Sequence, residues 1–174
     1  MCSSDLIPNV GRAKGRVIRR LIERQKSTRA VEIGSLLGYS AILIAGSLPP
    51  RGRLTCLETS DYLARMTKHN AEEAGLGRKV KVIQGDALRL LPLVPGRFDF
   101  VFIDAAKEDY LDYLRSLEPK LVAGAVVVAD NTGVFRKEVA PYLEHVRNSP
   151  DYASREYEFD DDAMEVSLYR SRRT

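Results

Sequence analysis

The sequence predicts an α/β fold, a doubly wound, seven-stranded, mostly parallel sheet that closes with a C-terminal antiparallel hairpin strand. Three observations predict it. Apolar, β-branched-rich runs of strand length recur along the chain, and most are followed by a stretch with helical spacing. One of them, Ala125-Val126-Val127-Val128-Ala129, is apolar almost without a break, as strands buried on both faces of a parallel sheet are. The last two runs, Ser154 to Phe159 and Met164 to Tyr169, flank Asp160-Asp161-Asp162-Ala163 and read as a hairpin.

The elements follow in order. A helix over about Gly11 to Gln25 carries Val17, Ile18, Leu21 and Ile22 as its apolar stripe, and the first strand is Ala30 to Gly34. Tyr39 to Ser47 is helical and closed by Pro49-Pro50. Arg53 to Leu57 is the second strand, and the helix after it, Asp61 to Ala74, ends at Gly75 and Gly77. Val80 to Ile83 is the third strand, and Phe98 to Asp104 the fourth, with a helix from about Asp109 to Leu117. After the fifth strand, Arg136 to Arg147 has helical spacing. With 174 residues the chain fits a single domain, 1–174. Within it, 1–29 form a basic N-terminal helix, 30–131 a ligand-binding core, and 132–174 a helix and hairpin.

Composition excludes several classes. The chain is 44% apolar and 29% charged, an ordinary globular balance. No apolar run reaches the roughly 20 residues needed to span a bilayer. The opening Met1-Cys2-Ser3-Ser4-Asp5 lacks the charged start and apolar stretch of a signal peptide, so a cytoplasmic location with no membrane partner is expected. Two cysteines, Cys2 and Cys56, make neither a disulfide framework nor a metal cluster. The net charge is +3, with Arg12, Lys14, Arg16, Arg19, Arg20, Arg24, Lys26 and Arg29 crowded near the start. That crowding reads as a solvated helix face, with nucleic-acid binding as the rival reading.

In a doubly wound sheet the ligand crevice lies at the carboxyl ends of the strands. The first strand runs into Glu32-Ile33-Gly34-Ser35-Leu36-Leu37-Gly38-Tyr39-Ser40, where two glycines permit a tight turn and close approach of a ligand. The loop lacks the middle glycine of a dinucleotide fingerprint, which argues against nicotinamide and flavin cofactors. Glu58 ends the second strand, where a ribose diol would lie, and Gln84-Gly85-Asp86-Ala87 after the third suits an adenine edge. Each feature alone has a purely structural reading, as a turn or a helix cap. Asp104 closes strand four and Asp130-Asn131 close strand five, so adjacent parallel strands bring three hard oxygen donors together. Such a set suits Mg²⁺, with Mn²⁺ or Ca²⁺ as substitutes. Lys107 follows close enough to turn into the same crevice.

Taken together these pieces resemble the class I S-adenosylmethionine-dependent methyltransferases, which are Rossmann-like. More narrowly they resemble the cation-dependent O-methyltransferases related to the catechol and caffeoyl-CoA enzymes. The matching segments are Val31-Glu32-Ile33-Gly34 with Gly38-Tyr39-Ser40, Glu58, Gly85-Asp86-Ala87, Phe102-Ile103-Asp104-Ala105-Ala106-Lys107, Val128-Ala129-Asp130-Asn131 and the closing Met164-Glu165-Val166-Ser167. The resemblance implies that Gly34 and Ser40 cradle the methionine part and that Glu58 binds the ribose. Glu32, Gly38, Tyr39, Gly85, Asp86 and Asp104 complete the cofactor site, and Ala87 lies by the adenine. It further implies a divalent cation on Asp104, Asp130 and Asn131, with Lys107 as base. The implied reaction is methyl transfer to a hydroxyl of a small, catechol-like acceptor.

The chain departs from that family at its edges. About thirty residues precede Val31, Thr132-Gly133-Val134-Phe135 is short, Ala106 replaces a bulky residue, and there is no Trp. An open acceptor pocket, completed by the second subunit of a homodimer, is therefore expected. Two rivals remain: a methyltransferase acting on a hydroxylated tRNA base, and a non-catalytic nucleotide-binding domain. His69, His145, Tyr110 and Tyr113 read as packing, rim or surface residues, and the Asp160-Asp161-Asp162 run as a solvated turn.

Overall fold

A computed structural model describes residues 10–170. The expectations placed on Met1 to Asp5, Cys2 included, lie outside the described residues. The sheet has the order β3-β2-β1-β4-β5-β7-β6, with β1 (Arg29–Ile33), β2 (Arg53–Glu58), β3 (Val80–Gln84), β4 (Phe98–Ile103), β5 (Leu121–Ala129), β6 (Tyr152–Glu158) and β7 (Ala163–Tyr169). The first five strands run parallel, and β7 inserts antiparallel between β5 and β6. Chain order reverses between β1 and β4, which places the switch-point crevice there.

Alternation along the strands explains why the sheet is covered on both sides. Phe100 and Phe102 of β4 face one core with Cys56, Val126 and Val128. That core is roofed by Ile18 and Ile22 of α1 (Gly11–Gln25) and by Ile44 of α2 (Tyr39–Ser47). Val101 and Ile103 face the other core, against Leu114 and Leu117 of α5 (Tyr110–Leu117) and Tyr142 and Val146 of α6 (Ala140–Asn148). The third helix, α3 (Asp61–Glu73), begins with Ser60 Oγ accepting the Leu63 N–H and ends at Gly75, as its glycine predicts. Among the described residues no helix is long and apolar enough to cross a membrane.

Three local readings change. The fifth strand begins earlier than its apolar run, at Leu121, and bulges opposite β4, with Gly124 in the left-handed region at φ +84°. The last helix begins at Ala140 rather than Arg136. Pro141 lies in its first turn, where a missing N–H costs nothing, and Pro would break the interior of a longer helix. A short helix, α4 (Ala87–Leu90), follows β3, capped by Asp86 accepting the Leu88 N–H.

Candidate active site

Backbone hydrogen bonds continue past the strand ends and set the site in one row. Asp130 N–H donates to Ile103, Asp104 N–H to Ile33, Gly34 N–H to Leu57 and Gly85 N–H to Glu58, all at 2.9–3.0 Å. Five strands side by side put about 19 Å between the Asp130 and Gly85 ends, at ~4.8 Å per strand. An elongated nucleoside and an acceptor can share a row of that length.

At the centre of the row lies the glycine loop. Gly34 has φ +83°, and a Cβ there would collide with the Asp104 carbonyl oxygen, so the loop can pass this close to β4 only without a side chain. Gly38, at φ +87°, caps the start of α2, where a Cβ would stand 3.1 Å from the Thr67 Cα, a tight contact but no collision. Glu58 holds the loop from β2: its Oε2 accepts the Ser35 and Leu36 N–H groups, and its Oε1 the Ser60 N–H. Helix α3 pins the loop from outside, Thr67 Oγ1 donating to Leu36 O and Asn70 Nδ2 to Leu37 O. Neither residue carries a sequence signal for this role; both are ordinary polar residues of an amphipathic helix.

Glu32 is fully buried beneath the loop. Its Oε2 accepts from the Cys56 thiol at 3.1 Å, while Oε1 completes no hydrogen bond. Burial pushes its carboxyl up to about 7; Ser40 and Cys56 pull it back in part, and Asp104 and Glu58 push it further. A buried carboxyl with no nearby cation among the described residues, its Oε1 served at most by the Ser40 hydroxyl, beside a side-chain-free cradle fits an ammonium-bearing ligand such as the methionine part of S-adenosylmethionine. Tyr39 and Ser40 open α2 at the same end, with Tyr39 exposed. Gly85 (φ +142°), Asp86 and Ala87 line the β3 end, Asp86 engaged as a helix cap and Ala87 buried.

At the other end of the row, Asp104, Asp130, Asn131 and Lys107 come together as their positions at neighbouring strand ends predict. Lys107 Nζ donates to Asp104 Oδ1 (2.8 Å), Asn131 Oδ1 (2.9 Å) and the Tyr110 hydroxyl (2.8 Å). Tyr110 in turn donates to the Asp130 carbonyl at 3.0 Å, and burial raises its pKa far above that of a free phenol. Oxygens from two adjacent strands thus already converge on a cation, here an ammonium. Among the described residues no three Asp, Glu, His or Cys side chains form a metal cluster. The donor set is instead two carboxylates and one amide, the hard-oxygen set that an octahedral cation completes with water or acceptor oxygens. Asp130 is buried, which pushes its carboxyl up to about 6, with Lys14 pulling down and Asp104 pushing up.

Two residues join this cluster that sequence reasoning assigned elsewhere. Lys14, grouped with the solvated arginines of α1, is only 12% exposed, and its Nζ lies 2.5 Å from both Asp130 Oδ1 and Asp162 Oδ2. Asp162 is no part of a solvated turn: Asp160 and Asp161 are exposed, but the Asp162 side chain is 6% exposed and turned inward. Burial opposes its charge, yet Lys14, Asn131 and the Val134 and Ala163 N–H groups outweigh it and hold the carboxyl down at about 2. Burial likewise opposes the charge on Lys14, and Asp130 and Asp162 overcome it, leaving its pKa raised. Spacing could not reveal either residue. Tyr110, read as core or rim, is buried and touches this cluster as well. The Phe135 ring stands 5.5 Å from Lys107 Nζ at the open side. Next to it a cleft of about 560 Å³ runs between Arg12, Lys14, Asn131, Val134 and Asp162. His69 is exposed, and His145 pairs with Glu118 at 2.7 Å far from the crevice.

Comparison with known proteins agrees with this geometry. Residues 5–150 match the family model described as O-methyltransferase. The chain is 33% identical to catechol O-methyltransferase B of Danio rerio, over 92% of this chain and 65% of that one. It is 37% identical to catechol O-methyltransferase of Mycobacterium tuberculosis, over 70% of this chain and 56% of the relative. Its fold superposes on the O-methyltransferase TomG from Streptomyces achromogenes, involved in tomaymycin synthesis and solved with S-adenosylmethionine, at a TM-score of 0.88. That match has 27% identity and covers 97% of this chain and 83% of TomG. This chain belongs to the O-methyltransferase family. It spans less than two thirds of the length of the two catechol enzymes.

Proposed function

We propose that the chain is an S-adenosylmethionine-dependent O-methyltransferase that methylates a hydroxyl of a small, catechol-like acceptor with the aid of a divalent cation, Mg²⁺ first. The observation that carries this reading is the convergence of Asp104 and Asn131 oxygens on one cation, Lys107 Nζ, beside a glycine loop in the same row of strand ends. The family, the catechol O-methyltransferase relatives and the cofactor named for TomG support it.

When bound, S-adenosylmethionine supplies a methyl group activated by its sulfonium, and the cation supplies a Lewis acid that acidifies an acceptor hydroxyl. The rest falls to the chain's own residues. The loop from Gly34 to Ser40 holds the methionine part, with Glu32 beneath it, and Glu58 receives the ribose hydroxyls. Asp104, Asp130 and Asn131 offer oxygens to the cation. Lys107 Nζ, as the neutral amine once a divalent cation replaces its ammonium among these oxygens, would be the atom placed to take the acceptor's proton, with the Tyr110 hydroxyl beside it. Aligning acceptor oxygen, methyl carbon and sulfur is the larger part of the work, an orientational gain. A homodimer would close the open side beyond Phe135. A second reading, tRNA as acceptor, draws on the exposed Arg12, Arg16, Arg19, Arg20 and Arg24 of α1, a basic face suited to phosphates.

Calorimetric titration tests the proposal. S-adenosylhomocysteine should bind, and catechol should bind only with Mg²⁺ present and not to Asp130→Ala. Nucleoside binding without metal-dependent catechol binding would favour the tRNA reading, as would a tRNA affinity that falls steeply with salt. No nucleoside binding would overturn the methyltransferase assignment.

A further inference from the structure

An Asn side chain used as an oxygen donor has an orientation problem. Its two ends are nearly equal in shape, and only hydrogen bonding decides which of them faces a cation. In this protein the decision falls to Asp162. Asn131 Nδ2 donates to Asp162 Oδ2 at 2.7 Å, and a carboxylate can only accept, so the NH₂ end is drawn to Asp162 and Oδ1 faces the crevice, where Lys107 Nζ meets it. Asp162 is itself immobilised. Its Oδ1 accepts the Gly133 and Val134 N–H groups at 3.2 and 3.0 Å, and its Oδ2 takes Lys14 Nζ at 2.5 Å.

The same ammonium orients the second ligand. Lys14 Nζ donates to Asp130 Oδ1, and the Asn131 backbone N–H donates to that same oxygen at 2.8 Å. Among the described residues both bonds fall on Oδ1, which leaves Oδ2 free of these two donors. Lys14 comes from α1 and Asp162 from the β6–β7 turn, and each braces a different residue of the pair Asp130-Asn131.

We infer that Lys14 and Asp162 are positioning residues for the cation site, presenting one oxygen each of Asp130 and Asn131 to the crevice. The inference rests on the cation reading proposed above. It makes a prediction opposite in sign to simple charge arithmetic. Removing the Lys14 ammonium leaves the site more negative, and charge alone would then tighten binding of a divalent ion. If Lys14 positions the ligands, its loss weakens binding instead, as loss of partners that orient metal ligands generally does, by about 10- to 100-fold.

The experiment titrates Mn²⁺ alone into the full chain, following the free ion by electron paramagnetic resonance, for the wild type, Lys14→Met and Asp162→Asn. Circular dichroism and S-adenosylhomocysteine affinity check that each variant is folded. Both variants should bind Mn²⁺ about tenfold or more weakly while keeping their nucleoside affinity. Asp162→Asn retains the shape of the turn but also removes a negative charge, so weaker binding there is necessary and Lys14→Met separates positioning from charge; an unchanged Mn²⁺ affinity in Asp162→Asn overturns the inference even should Lys14→Met fail to fold. So does Mn²⁺ binding to folded Lys14→Met that equals or exceeds the wild type, a result that leaves the cation reading standing. If the wild type takes up no Mn²⁺, the cation reading itself falls, and this inference with it.

Discussion

Replacing Glu32 by Gln should flatten the pH dependence of stability between pH 4.5 and 7. The Glu32 carboxyl is fully buried, with Oε2 on the Cys56 thiol, and burial outweighs the Ser40 and Cys56 hydrogen bonds and lifts its pKa from 4.5 to about 7. The unfolded chain exposes an ordinary Glu. Between those two values the native state therefore holds a proton that the unfolded state has lost. Stability from this group is fully present below pH 4.5 and is lost as pH rises through 7. A gap of about 2.5 units at ~1.36 kcal/mol each amounts to about 3 kcal/mol. Urea unfolding of the ligand-free wild type and of Glu32→Gln at pH 5, 6, 7 and 8 reads this directly. Gln leaves a buried amide donor of its own, so the slopes are compared rather than the absolute values. Relative to the variant, the wild type should lose stability steadily up to about pH 7 and level off above it. Parallel curves would show that Glu32 is ionised in the folded protein from low pH, and the burial argument would be wrong.

Two other substitutions probe the site and its frame. Gly34→Ala places a methyl against the Asp104 carbonyl in a left-handed conformation that alone costs about 1–2 kcal/mol, so S-adenosylhomocysteine affinity should drop at least tenfold by calorimetry. Arg147→Met strips the fully buried Glu165 carboxylate of its bidentate partner (3.0 and 2.6 Å), leaving it, among the described residues, the Ser154 hydroxyl. The Arg147 side chain is 37% exposed, which discounts the usual penalty for breaking a buried pair to about 2–3 kcal/mol, measurable by urea unfolding.

Much of the fold is legible in the sequence because its signals are local. The apolar runs 100–103 and 126–129 are strand segments buried on both faces, and burial on both faces leaves no polar positions to blur them. Gly34 and Gly38 mark the loop since only glycine tolerates those contacts and dihedrals. Asp104, Asp130 and Asn131 could be grouped as soon as their strands were taken to be neighbours, which alternating strands and helices imply. The misread boundaries have local causes too: Pro141 resets a helix start, and the bulge at Gly124 hides the first residues of β5.

By itself, then, the sequence determined the doubly wound sheet, the end of it where the candidate site lies and the acidic residues there, since periodicity, glycines and strand-end positions act over a few residues. Tertiary structure alone decided which ordinary-looking charges serve the site. Lys14 looks like its arginine neighbours, and Asp162 looks like Asp160 and Asp161. They meet only because α1 packs beside β5 and the β6–β7 turn folds over Asn131, closing contacts across 116 and 148 residues of chain. Contacts over such separations depend on how whole elements pack, and no local pattern of residue types records that packing.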